Sequence, residues 1–138
     1  MASSKVILDT NLWISFLISG KFDLIDKLLL RERIILIFSD ELIEEFITVI
    51  SRPKFKKYFS KNDVDRLLRM FDSYGKLIAT SSKTTICRDI KDNFLLDLAI
   101  DSNADFLLTG DEDLLILQKI GHTQILSFSS FIKLPDFS

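Results

Sequence analysis

Very little in this chain serves to staple, hinge or anchor it. Cys87 is the sole cysteine, which excludes an internal disulfide framework and makes the cytoplasm the expected compartment. Four glycines and two prolines in 138 residues leave little material for flexible linkers. A single domain over 1–138 is therefore expected, large enough to bury about two thirds of its unfolded surface. His122 is the only histidine, so no Cys/His cluster suggests zinc. The apolar stretch from Leu12 to Ile18 is broken by Ser15 and preceded by Asp9. It is too short for a membrane span and wrongly flanked for a secretion signal, so no membrane association is expected. There is no Gly-rich phosphate loop, which disfavours an NTPase or a dinucleotide-binding protein.

What is present reads as an ordinary globular protein, with 47% hydrophobic and 28% charged residues. Twelve phenylalanines are a heavy load for this length, and mean hydropathy is +0.23. Some apolar surface is thus expected to be covered by a second copy, as a homodimer, or by another protein. The net charge of −2 argues at first against nucleic acid, but its distribution matters more than its sum. From Arg52 to Arg69 seven basic residues stand against two acids, Asp63 and Asp65, a local balance of +5 that leaves −7 elsewhere. Lys54, Lys56 and Lys57 alternate with Phe55, Tyr58 and Phe59, a pattern that holds a single strand by charge and stacking. The plainer alternative is that the aromatics are core and the lysines merely solvated.

Elements alternate along the chain. Val6-Ile7-Leu8 and Ile34–Phe38 read as buried strands, and Phe106–Leu108 and Gln124–Leu126 as two more. Ile78-Ala79 is expected as a short strand. Helices are expected over Asn11–Ile18, Phe22–Leu30, from Ser39 as N-cap to Ile50, and from Ser60 or Asn62 to Tyr74, where Gly75 ends it. Others are expected over Asp92–Ser102, Glu112–Lys119 and a short stretch through Ile132. The β-then-α order predicts an α/β fold, a central mostly parallel sheet with helices on both faces. Ligands in such folds bind beyond the carboxyl ends of the strands.

Four acids fall at those ends or at helix starts: Asp9, Glu45, Asp92 and Asp111. At about 100° per residue, Glu45 lies about 40° from Val49, beside the apolar stripe of Leu42, Phe46, Val49 and Ile50. Glu41 and Glu44 turn toward solvent. Asp92 falls about 20° from Ala99, on the stripe of Leu95, Leu98 and Ala99, while Asp97 and Asp101 point away. Each acid has a bland alternative: Asp9 as a turn former, Asp92 and Asp111 as helix caps, Glu45 as a surface acid. Converging carboxylates repel unless cations neutralise them, so a divalent-metal site is the joint reading. Hard cations such as Mg²⁺ or Mn²⁺ favour carboxylate and water. Asn11 and Thr109 are polar types suited to orient a carboxylate or bound water.

These residues resemble the PIN-domain nuclease family, in particular its toxin-like branch in prokaryotic toxin–antitoxin systems. The resemblance runs from Lys5 to about Phe131. Leu8-Asp9-Thr10-Asn11 is similar to the family's first acid with its following Thr and Asn. The segment from Ser39 to Phe46 resembles the one supplying a helical glutamate, here Glu45. Lys91-Asp92-Asn93 looks like the third-acid segment. Thr109-Gly110-Asp111-Glu112-Asp113-Leu114-Leu115 looks like the family's Thr-Gly-Asp-x-Asp-Leu-Leu signature, with Asp111 and Asp113 completing the site. Arg52-Pro53-Lys54-Phe55 also resembles a segment of this branch.

The resemblance implies a Rossmann-like α/β/α sandwich that cleaves RNA with Mg²⁺ or Mn²⁺, with Asp9, Glu45, Asp92 and Asp111 catalytic. An antitoxin protein is then an expected partner, and Arg52, Lys54, Lys56 and Lys57 the expected RNA contacts. Two other classes compete. An aspartyl phosphatase normally has a second acid two residues after its nucleophile, where Asn11 stands here. A non-catalytic RNA- or partner-binding module would be expected to have lost one of the acids, and all four are present.

Overall fold

A computed structural model describes residues 3–19, 27–87 and 92–137. Six strands form one sheet: β1 (Ser4–Leu8), β2 (Ile34–Phe38), β3 (Gly75–Leu77), β4 (Phe106–Leu108), β5 (Lys119–Ile120) and β6 (Thr123–Leu126). Their order is β3-β2-β1-β4-β6-β5, parallel throughout except for the β5–β6 hairpin. The helices are α1 (Thr10–Ser19), α2 (Asp40–Ile50), α3 (Lys61–Tyr74), α4 (Asn93–Ser102), α5 (Glu112–Leu115) and α6 (Phe128–Ile132). A 3₁₀ turn covers Pro53–Phe55. Residues 27–30 are helical, and the rest of the expected Phe22–Leu30 helix lies outside the described residues.

The expected α/β architecture is the one observed: a mostly parallel sheet flanked by helices. Val6, Ile7 and Leu8 are all buried although successive side chains point to opposite faces, so both faces of the central strand are covered. The chain steps outward from β1 to β2 and β3 in one direction, then returns to β4 and β6 in the other. That reversal lies between β1 and β4, where open parallel sheets leave a crevice. Trp13, Phe38, Phe46 and Phe71 form one aromatic cluster that locks α1, α2 and α3 to β2. Trp13 is thus packed among helices. Phe106, Phe128, Phe131 and Phe137 form a second cluster around β4 and α6. Among the described residues, no helix is long and apolar enough to cross a membrane.

Two element boundaries depart from the sequence expectation. The short strand is Gly75–Leu77 rather than Ile78-Ala79, because α3 runs into β3 without a loop. Gly75 is what permits this: a Cβ there would stand 2.5 Å from Cε2 of Phe38 and from the carbonyl oxygen of Phe71. The helix from Glu112 stops at Leu115, and Lys119 belongs to β5. Gln118 at φ 64° turns the chain, and Gly121 at φ 55° opens a two-residue hairpin that pairs Ile120 with Thr123.

Asp97 and Asp101, expected to face solvent, instead hold an extended strap over residues 81–87. Asp101 accepts from the backbone N–H groups of Ser81 (2.6 Å) and Ser82 (3.0 Å) and from the Ser82 hydroxyl (2.5 Å). Asp97 accepts from Thr84 N–H at 2.7 Å, and Asn93 from Cys87 N–H at 2.9 Å. Positions 93, 97 and 101 recur every four residues, so one stripe of α4 receives the whole strap. These bonds, that from the Ser82 hydroxyl first, hold the Asp101 carboxyl below its usual range.

Candidate active site

Asp9 follows β1 directly, and Asp111 follows β4 after Thr109 and Gly110. Since β1 and β4 are parallel neighbours, paired Leu8 to Leu108, their carboxyl ends deliver both acids to the same edge. The link between them is a hydroxyl. Thr109 Oγ1, 1% exposed, donates to Asp9 Oδ2 at 2.8 Å and accepts the Asp111 backbone N–H at 3.0 Å. Asp9 is itself only 6% exposed, and the backbone N–H groups of Asn11 and Thr10 beside it favour its charged form. Burial pushes its carboxyl up from the ordinary value; Thr109 and the two backbone donors oppose that rise, and the Asp111 charge adds to it.

Glu45 reaches this edge from the second turn of α2. Ser39 starts that helix by accepting the Leu42 N–H at 3.2 Å, and Leu42, Phe46, Val49 and Ile50 bury its apolar stripe. Glu45 is left half-buried beside the stripe, while Glu41 and Glu44 are exposed, as helix phase predicts. Its Oε2 accepts a 3.0 Å hydrogen bond from the Thr10 hydroxyl. Burial raises the Glu45 carboxyl; the Thr10 bond opposes, Asp9 raises it further, and the Arg52 guanidinium draws it down. Asp9 thus feels the charge of Asp111, and Glu45 that of Asp9, although the three come from separate elements.

Asp92 stands at the N-cap position of α4 but makes no capping hydrogen bond with its side chain, so the bland cap reading does not describe it. Its Oδ2 is shielded from solvent. Helix α4 packs against α2, the helix of Glu45. Next to Asp92, the Asn93 side chain holds Cys87, and the Cys87 thiol lies 3.8 Å from the Asp113 carbonyl as its donor. Cys87 so ties the start of α4 to the turn that carries Asp111 and Asp113. Asp111 caps α5 through Oδ1, which accepts the Asp113 N–H at 2.9 Å. Asp111 therefore does act as a cap, with its remaining oxygen outside that bond.

Thr109 bonds the Asp9 carboxylate through its hydroxyl, whereas Asn11 is exposed. Thr10 is the residue that sequence reasoning passed over. Its signal was its place between Asp9 and Asn11, but nothing local announces a partner 35 residues away. His122 is peripheral, exposed and bonded to Asp105 at 2.7 Å. In the basic segment, Phe55 and Phe59 pack against the core, while Tyr58 is 47% exposed. The Lys54 and Lys57 ammonium groups lie 5.0 Å from the ring centroids of Phe55 and Tyr58. Lys54, Lys56 and Lys57 are exposed, and Arg52 is the basic residue whose charge reaches Glu45.

Among the described residues, no three Asp, Glu, His or Cys side chains are grouped as a ready-made metal cage. The donor chemistry nonetheless fits a hard cation of one kind. Mg²⁺ keeps most of its waters and is commonly held by one or two carboxylates plus substrate phosphate, not by a closed cage. Two buried or half-buried carboxylates, both pushed up first by burial and then by a neighbouring carboxylate (Asp111 beside Asp9, Asp9 beside Glu45), are suited to that role.

Comparison with known proteins bears on the family and the fold. The PIN domain family model matches residues 5–113. The uncharacterized protein MJ1680 of Methanocaldococcus jannaschii is 33% identical over 117 residues, covering 83% of this chain and 75% of that protein. Among solved structures, the PIN domain endonuclease Utp24 superposes with a TM-score of 0.56 at 23% identity, over 89% of this chain and 84% of that one, a likeness of fold. Sheet order, the acids at its carboxyl edge and the family match lead to one conclusion: this chain belongs to the PIN domain family.

Proposed function

We propose that this protein is a metal-dependent endoribonuclease, the toxin component of a toxin–antitoxin pair. Asp9, Glu45, Asp92 and Asp111 are its catalytic carboxylates and, with Asp113, its ligands for Mg²⁺ or Mn²⁺. The observation that carries the reading is Asp9: a carboxylate 6% exposed, pushed toward protonation by burial, with the charge of Asp111 adding to the effect. A group so placed is favoured as an anion once a cation joins it. Membership of the PIN domain family supports a nuclease, and a relative of the same fold bears the name endonuclease.

The chain's own residues bind and orient. Thr109 holds Oδ2 of Asp9 and Thr10 holds Oε2 of Glu45, so a hydroxyl from a neighbouring element orients each carboxylate. A bound divalent cation supplies an activated water and neutralises charge on the scissile phosphate. Arg52 leads from Glu45 into the exposed lysines Lys54, Lys56 and Lys57, which grip successive phosphates of the RNA. Tyr58 offers a face on which a base stacks. Exposed Leu77, Ile86 and Ile116 add apolar surface for a second copy or an antitoxin chain.

The decisive experiment incubates labelled RNA with the protein and Mn²⁺ or EDTA, beside Asp9→Asn. Cutting with Mn²⁺, leaving 5′-phosphate ends, and its loss in the other two arms are expected. Cutting that survives EDTA or Asp9→Asn sinks the proposal. Light scattering at high protein concentration tests self-association, and a monomer there refutes the homodimer.

A further inference from the structure

We infer that Thr10 is a positioning residue for Glu45, fixing which carboxylate oxygen of that acid faces the cation and the substrate. The inference rests on the nuclease reading above and adds a residue to it. Thr10 opens α1, where a threonine hydroxyl ordinarily bonds within its own turn or helix. Here the hydroxyl leaves its own helix and donates to Glu45 Oε2, 35 residues along the chain, at 3.0 Å. Thr10 is 1% exposed, so water does not compete for that hydroxyl, and its rotamer is set by the packing around it.

Together with Thr109 it completes a line across the site. Asp111 N–H donates to Thr109, the Thr109 hydroxyl to Asp9, and Thr10, next to Asp9 in the chain, donates through its hydroxyl to Glu45. The line joins β1, β4 and α2 through the loop ends that carry the acids. Glu45 needs such a guide more than Asp9 does. It has a longer side chain, is only half-buried, and has a guanidinium nearby that pulls on the same carboxylate. Without Thr10, Oε2 loses its donor and Glu45 is free to swing toward Arg52. Partners of this kind are worth about 10–100-fold in metal affinity or activity.

The test compares wild type, Thr10→Val and Thr10→Ser. Valine keeps the shape and removes the donor, while serine keeps the donor. Mn²⁺ binding is measured without RNA by calorimetry or electron paramagnetic resonance, and RNA cutting is then followed as kcat and KM separately. Thr10→Val is expected to weaken Mn²⁺ binding by about tenfold and lower kcat with little change in KM, with Thr10→Ser retaining most of both. Circular dichroism and a cooperative melt confirm that each variant is folded. If Thr10→Val does not fold, the same comparison is made with Thr10→Ala and Thr10→Ser. Overturning results are a folded variant lacking the hydroxyl that binds and cuts as wild type does, or a serine variant as impaired as it. Wild type that binds and cuts beside an unaffected Thr10→Val sinks this inference alone. Wild type that neither binds Mn²⁺ nor cuts RNA sinks the function proposed above as well.

Discussion

Replacing Thr109 by valine tests the join between the two strand-end acids. Thr109 Oγ1 makes two hydrogen bonds in a place closed to water, one donated to the Asp9 carboxylate at 2.8 Å and one accepted from the Asp111 N–H at 3.0 Å. Valine fills the same volume with no polar atom. It leaves Asp9 Oδ2 without its closest donor and the Asp111 N–H without its acceptor. A bond to a charged group is worth about 1.5–3 kcal/mol and a neutral one about 0.5–1.5 kcal/mol, so the loss is about 2–4.5 kcal/mol. For a domain of this size that lowers Tm by roughly 8–15 °C.

The pH dependence carries a sign that separates this mechanism from simple loosening. The Asp9 carboxyl is already raised above 3.8 in the folded protein, and losing the Thr109 bond raises it further. A raised folded-state carboxyl lowers stability progressively as pH climbs from the unfolded value through the folded one. The gap between wild type and Thr109→Val is therefore smallest in acid, where Asp9 is protonated in both. It widens as pH rises and levels off above the variant's raised value. Thermal melts in EDTA across pH 4 to 8 read this directly. A Tm within about 2 °C of wild type at neutral pH, or a gap that narrows as pH rises, refutes the reasoning.

Other outcomes follow from the same geometry. Gly75→Ala is expected to cost about 1–3 kcal/mol by overpacking, since its Cβ would meet Phe38 and the Phe71 carbonyl at 2.5 Å. Urea denaturation checks it, and an unchanged midpoint would mean that α3 enters β3 less tightly than described. Changing Lys54, Lys56 and Lys57 together to alanine should raise KM for RNA several-fold, leave kcat nearly intact and flatten the salt dependence of binding. An unaltered salt slope, measured by fluorescence anisotropy, would mean that the lysines are only solvated surface.

Short-range pattern was enough for the strands Ile34–Phe38 and Phe106–Leu108, because continuous apolar runs between polar turns have no other economical way to be buried. Helix phase was enough to separate Glu45 from Glu41 and Glu44. It failed for Asp97 and Asp101, which lie off the buried stripe as expected but serve there as acceptors for the strap over 81–87. Phase tells which way a side chain points and nothing about what chain will pass in front of it. Lys119 was lost to a helix because the reversal at Gln118 depends on a hairpin whose second strand must already be in place beside β4.

Local chemistry thus wrote the acids, the turns that carry them and the α/β alternation into the chain, since those depend on neighbours within a few residues. What had to wait for the packed molecule was their company. Thr10 finds Glu45 across 35 residues and Thr109 finds Asp9 across 100. Contacts at such separations exist only because β1 lies between β2 and β4. Strand order is a property of the whole sheet, so no window of sequence contains it.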